Sequence, residues 1–173
     1  MPLSLVADAE ALPLRSDFVD GCWSDRTFQH LANPRKALAE LVRVMKPGAT
    51  IVVADADYGT QTMEFPDQAL AGKVFDFRAR HMRRNGTLAH EMAGHFESAG
   101  LVDASAEKKD LVVRDPTSVD NVLGLRSWAR TAQTQGAMED DEVRRWESLY
   151  DDVVASSRFR WSVSFFLTSG RKK

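Results

Sequence analysis

Cysteine is almost absent: Cys22 is the only one in the chain, so no internal disulfide can form. Long apolar runs are missing too. No stretch approaches the ~18 residues needed to span a bilayer, which argues against a membrane protein. The first residues, MPLSLVADAEALPL, lack the basic-then-apolar order of a secretory leader. Excess charge of one sign is also lacking. The formal net charge is −2, so no overall basic field draws nucleic acid or an anionic membrane. Ten glycines are present, but none fall in a G-x-G-x-G pattern, and no phosphate-binding loop occurs. No Ser-His-Asp set stands in a recognisable local context. His81, His90 and His95 do not form a metal site by spacing, because a five-residue step places two ligands poorly on one helical face. These absences leave a cytoplasmic globular protein as the expectation.

What is present fits one domain of 173 residues, with 43% hydrophobic and 28% charged residues. Leu3 to Ala7 is a short apolar strand candidate, and Phe18 to Trp23 a second. Asn33-Pro34 opens a helix, with Asn33 as N-cap and Pro34 where its missing N–H costs nothing. Leu38, Leu41, Val42 and Met45 give that helix one apolar face, and Pro47-Gly48 is its expected stop. Thr50 to Ala54 is a continuous apolar run, as in a strand buried on both faces. The order strand, strand, helix, strand predicts an α/β fold with parallel pairing.

The later half reads as more helical. Leu70, Val74, Phe77 and His81 are spaced by three and four, as are Leu88, Met92 and Phe96, with Gly100 as a stop. Ala104 to Val113 reads as a strand, and Ser118 to Thr131 and Glu139 to Val154 as two helices. Phe159 to Thr168 alternates well, with Phe159, Trp161, Val163, Phe165 and Leu167 on one face, and suits an antiparallel strand beside Thr50 to Ala54. Arg78, Arg80, Arg83 and Arg84 form a basic cluster that either binds a carboxylate or phosphate or is a solvated face. Trp128, Trp146, Trp161, Phe159 and Phe165 either line an aromatic pocket or form core.

Ala7 to Thr60 carries an ordered set of features: Asp8-Ala9-Glu10, Leu12-Pro13, Phe18-Val19-Asp20, Gln29-His30-Leu31 with Pro34, Ala37-Leu38, Glu40, Arg43-Val44, Lys46-Pro47-Gly48, and a strand ending at Asp55. In that order and spacing the segment resembles the class I S-adenosylmethionine-dependent methyltransferases that act on small molecules. Asn85-Gly86 to Leu101 is similar to the stretch before that family's sixth strand. The resemblance implies a partial Rossmann-like fold: a mixed sheet with an antiparallel last strand, one domain over 1–173, and helical cap segments at roughly 62–100 and 116–157. It implies S-adenosylmethionine as cofactor and a small-molecule substrate, with no nucleic acid or membrane partner.

The family's site residues carry over by position. Asp8 would accept a hydrogen bond from the adenine amino group, and the Ala9 backbone would read the ring. An ionised carboxylate is acceptor-only and suits an exocyclic amine. Ser24 and Asp25 would lie beside the methyl donor, at the carboxyl edge where open α/β sheets bind ligands. His30 and Asp55 are the candidate catalytic residues, and Arg26, Gln29, Tyr58, Arg83 and Arg84 the candidate substrate contacts. For His30 the alternative is packing at a helix start; for Asp55 and Asp57 it is a turn acid after a strand.

The family's first strand, glycine turn, helix and second strand have no counterpart after Met1. The expectation is therefore a donor site incomplete in this chain. An exposed edge on Phe18 to Trp23 should then favour a homodimer or a complementing chain. Two further functions remain open: a cofactor-independent cyclase or isomerase built on the same fold, and a non-catalytic partner of an intact methyltransferase.

Overall fold

The computed structural model describes residues 4–173. Four strands form one sheet in the order β1-β2-β4-β3: β1 Val19–Asp25, β2 Met45–Met63, β3 Val102–Val113 and β4 Trp161–Arg171. The helices are α1 Pro34–Val44, α2 Gln68–Phe77, α3 Met92–Ser98, α4 Pro116–Leu123, α5 Trp128–Thr134 and α6 Asp140–Ala155. None is long and apolar enough to cross a membrane.

β1 and β2 are parallel neighbours, with Gly21 opposite Thr50 and Asp25 opposite Ala54. The expected crossover helix, α1, joins them. Asn33 caps it, its Oδ1 accepting from the Lys36 N–H at 3.1 Å. Ala37, Leu38 and Val44 are its buried residues. Burying Leu38 alone is worth roughly 2 kcal/mol. Pro47-Gly48 does not terminate the helix, which ends at Val44. Val19 pairs with Met45 and Gly21 with Thr50, so β2 advances further than β1 and bulges over Lys46–Ala49. The bulge accommodates Pro47, which has no N–H to give a ladder, and Gly48 at φ +82°.

β2 and β4 run antiparallel. The Gly48 N–H donates to the Lys172 carbonyl at one end of the pair, and the Glu64 N–H to the Arg160 carbonyl at the other. β3 and β4 are antiparallel as well: Ser105 meets Ser169 at 3.1 Å and Ser164 donates to Asp110 at 2.7 Å. The sheet is mixed, as expected.

Three readings are corrected. Ser4 to Ala7 form no strand, and Leu3 lies outside the described residues. No strand among the described residues lies beside this segment, and without a ladder partner an apolar run does not become a strand; Leu5 and Val6 are exposed. Ser118 to Thr131 is not one helix but α4 and α5, broken at Gly124, which is left-handed at φ +69°. The strand begun at Thr50 is longer than its apolar core and runs from Met45 to Met63.

The chain divides into two compact units. The first comprises 1–56, 88–108 and 166–173. Its core is built from Phe28, Leu38, Met45, Ile51, Val53, Met92, Phe96 and Leu101. The second comprises 57–87 and 109–165. Its core is aromatic: Phe65 lies 4.7 Å from Trp146, and Phe75 meets Trp128 and Trp146 edge-on at 6.2 and 6.3 Å. Trp128, Trp146 and Trp161 are core residues, all three buried.

Candidate functional site

In the first unit, the parallel pairing of β1 with β2 ends at Asp25 and Ala54, and this end gathers most of the candidate residues. Ser24 pairs with Val53 and Asp25 with Ala54. The Arg26 N–H then donates to the Ala54 carbonyl at 2.8 Å, extending the ladder by one residue. There the backbone turns. Arg26 takes φ +49°, a left-handed position unusual for a side chain of its size. Thr27 donates its hydroxyl back to the Asp25 carbonyl, and Gln29 Nε2 donates to the Arg26 carbonyl at 3.1 Å. A single 3₁₀ turn, Phe28–His30, follows.

Asp55, the next residue on β2, points its carboxylate at that turn. Its Oδ2 accepts the Phe28 N–H at 3.1 Å. It is buried, and burial pushes its carboxyl up to about 6, against the backbone donors of Phe28 and Gln29 and with the help of the nearby Asp25 charge. Its Oδ1 has no hydrogen-bond partner, and neither has the buried Gln29 Oε1. The carboxyl end of the parallel pair therefore offers two unused acceptors. A ligand that brings N–H or cationic groups fits them; an anion does not. His30, by contrast, is exposed at the end of the turn.

Asp8 and Ala9 sit in a tight turn rather than at a strand end. The Ala11 N–H donates to the Asp8 carbonyl at 3.0 Å, and Asp8 Oδ1 accepts the Glu10 N–H at 2.8 Å. Asp8 is exposed and Ala9 half-buried. The turn is tied to α1. Glu10 accepts from the Asn33 N–H, and Glu40 from the Leu12 N–H. Arg43 donates to the carbonyls of Leu12 and Leu14 while pairing with Glu40 at 2.8 Å. The Arg43 guanidinium holds the Glu40 carboxyl at about 2. Glu10, Glu40 and Arg43, read from the sequence only as parts of a pattern, are thus the residues that moor this loop.

The remaining candidates belong to the second unit. Tyr58 is buried; its N–H donates to the Gly86 carbonyl at 2.7 Å, and its carbonyl accepts from Gln61 Nε2. Arg83 lies 5.9 Å from the Tyr58 ring, with its Nε unpartnered and Nη1 near the Met82 carbonyl. Arg84 is exposed. Sequence reasoning named Arg78 only as one of a four-arginine cluster; it is 1% exposed and lies over the rings of Trp128 and Tyr58 at 3.8 and 4.7 Å. Burial lowers its guanidinium to about 10, with the neighbouring Arg83 charge adding to that.

Comparison with known proteins agrees with this architecture. Residues 2–53 match the methyltransferase domain family. An uncharacterised protein of a Streptomyces fradiae transposon is 30% identical over 162 residues, covering 94% of this chain and 46% of that one. The malonyl-[acyl-carrier protein] O-methyltransferase of Salmonella typhimurium is 32% identical over 91 residues, which are 53% of this chain and 34% of that protein. The chain thus spans about half or less of the curated relatives it matches. Among solved structures, a Bacillus halodurans protein assigned to the methyltransferases superposes with a TM-score of 0.53 at 17% identity, over 96% of this chain and 69% of that one. Residues 2–53 thus carry the pattern of the methyltransferase domain, and the chain shares its fold with that Bacillus halodurans protein.

Proposed function

We propose that the chain takes part in S-adenosylmethionine-dependent methyl transfer to a small molecule. The observation that carries this reading is the pair of buried, unused acceptors, Asp55 Oδ1 and Gln29 Oε1, at the carboxyl end of the parallel pair. Their chemistry suits a donor-rich, cationic cofactor and disfavours a phosphate-bearing one. When bound, S-adenosylmethionine supplies an electrophilic methyl group on a sulfonium.

The chain's own residues would then divide the work. Asp8 has one carboxylate oxygen engaged with Glu10 and the other available for the adenine amino group, with the Ala9 backbone reading the ring. Ser24 and Asp25 line the donor side, and Arg26 and Gln29 the substrate side. Tyr58, Arg83 and Arg84 are proposed as substrate contacts within the second unit. Asp55 is the proton acceptor. A carboxyl that titrates near 6 is ionised at neutral pH, yet basic enough to take a proton from a hydroxyl or amine as it is methylated. His30 is the second candidate for that role, from a more exposed position.

The test is a titration of the 173-residue chain with S-adenosylhomocysteine, followed in the ¹H–¹⁵N spectrum. Two or three hydrogen bonds, at ~0.5–1.5 kcal/mol each and up to ~3 for the one to the carboxylate, reach at most ~6 kcal/mol, short of the ~8 kcal/mol of a micromolar site, so binding should be weaker than micromolar. Amide shifts are expected at Asp8, Ala9 and Ser24 to Gln29, and Asp8→Ala should remove them. No shift at about 5 mM ligand, several thousandfold above micromolar, would overturn the reading.

A further inference from the structure

In the second unit, Arg78 opens a five-residue π-helical turn, Arg78–Met82, directly after α2. Such turns are rare, and they frequently mark functional positions. The turn sets the Arg78 guanidinium over the rings of Trp128 and Tyr58. Those rings attract the cation through their faces, and the Tyr58 side chain hydrogen-bonds the guanidinium, but neither residue takes up Nε or Nη2. Arg78 forms no ion pair among the described residues, and its Nε and Nη2 donate to nothing. A guanidinium cannot escape by losing its proton at physiological pH, so this is a desolvated charge with unmet donors.

Which donors are unmet matters. Nε–H and one Nη2–H lie parallel on a single edge of the guanidinium. That edge is the one that holds a carboxylate by two parallel hydrogen bonds, at the spacing of its two oxygens. Arg83, the second guanidinium near Tyr58, also has an unpartnered Nε and adds positive potential. The surrounding groups are aromatic, so the charge is focused rather than cancelled.

We propose that the Nε/Nη2 edge of Arg78 is a carboxylate-binding site, and that the small-molecule substrate carries a carboxylate on or beside a flat ring or conjugated system. This rests on the methyltransferase reading for the word substrate, but the site itself stands on the second unit's residues alone. The edge is closed to water, so the carboxylate enters as its surroundings give way. Binding then supplies the two hydrogen bonds and the counter-charge that the folded protein lacks.

The test uses benzoate, with benzamide as its neutral isostere and inorganic phosphate as the alternative anion. A buried Arg Nε–H exchanges slowly and is visible in the ¹H–¹⁵N spectrum, where its absence from Arg78→Lys assigns it. Benzoate should shift that signal saturably. Benzamide should bind at least tenfold more weakly, and so should benzoate to Arg78→Lys. The benzoate–benzamide comparison needs no variant, so it decides even if Arg78→Lys fails to fold. An Arg78 signal that benzoate does not move, or equal binding of benzoate and benzamide, overturns the proposal. Preference for phosphate overturns the carboxylate assignment. S-adenosylhomocysteine titrated in the same samples separates the two readings. If it leaves Asp8 and Ser24 to Gln29 unmoved while benzoate binds, the methyltransferase reading fails and this site survives.

Discussion

Apart from single atoms on Gln61, Trp161 and Thr168, the buried polar atoms without partners among the described residues fall into two groups of opposite chemistry. At the carboxyl end of β1 and β2, Asp55 and Gln29 hold unused acceptors. On the π-turn after α2, Arg78 and Arg83 hold unused donors. Native proteins leave few such atoms, because each unmade hydrogen bond costs about 1–3 kcal/mol. We propose that the two groups serve different ligands, one bringing donors or a cation, the other an anion.

The strongest attack on this comparison is at Arg78. Arg78→Ala should destabilise the protein by ~3 kcal/mol, through the cavity left beside Trp128. Arg78→Met fills that space and removes an uncompensated charge, so it should fall within ~1 kcal/mol of the unmutated protein. Urea denaturation separates the two variants. Equal losses would show that the charge itself, and not the volume, is what the site needs.

Asp55→Asn tests the acceptor region. Asp55 has a folded-state pKa raised from an ordinary 3.8 to about 6. A raised carboxyl favours folding when protonated: its contribution is complete below about pH 4 and is lost as pH rises through about 6. At pH 8 the ionised form is therefore a liability, on the order of 1–2 kcal/mol after allowance for solvent screening. Asn keeps an acceptor for the Phe28 N–H without the charge. The variant should melt higher than the unmutated protein at pH 8, and the gain should vanish near pH 4. A gain that is flat with pH would show that Asp55 does not titrate in this range. Any methyl transfer should nevertheless fall, since the amide cannot take a proton.

The smallest effect on stability is expected at the edge strand. Phe18 and Trp23 on and before β1, with Leu5 and Val6, are exposed apolar residues. We propose that the 173-residue chain self-associates through them. Trp23→Glu should change folding stability by no more than ~0.5 kcal/mol, as surface substitutions do, while shifting light scattering toward monomer. A monomer at high micromolar concentration without the substitution would refute the association.

How much of this could be read from the residues varied with the kind of signal. The β1–α1–β2 unit was legible because Asn33-Pro34, the apolar stripe and Thr50 to Ala54 agree on one answer. β4 was legible because Phe159, Trp161 and Val163 alternate and are buried, although the pattern breaks from Ser164 onward. β2 beyond Ala54 was not: Asp55, Asp57, Tyr58, Gly59 and Gln61 have the composition of a loop, yet Asp55, Asp57, Tyr58 and Gln61 are buried in the strand. Burying polar side chains breaks the usual pattern, and such breaks concentrate at functional sites. Arg78 was hidden for a related reason. In sequence it is one of four arginines within seven residues, and Arg80 and Arg84 are exposed. Only the π-turn, which has no composition of its own, turns Arg78 inward. The moorings at Glu40 and Arg43 were visible as a pattern but not as an action, because their partners are backbone atoms some thirty residues earlier.

That mooring determines how the loop bearing Asp8 responds to change. A loop fixed between strands inherits the stiffness of a sheet; this one is suspended from the side chains of a single helix, by Glu40, Arg43 and the Asn33 backbone. Rotation or sliding of α1 is therefore transmitted to Asp8 and Ala9 without passing through the sheet. Arg43 touches neither residue, yet it works as a hawser: Arg43→Met would let the loop drift while leaving every strand in place.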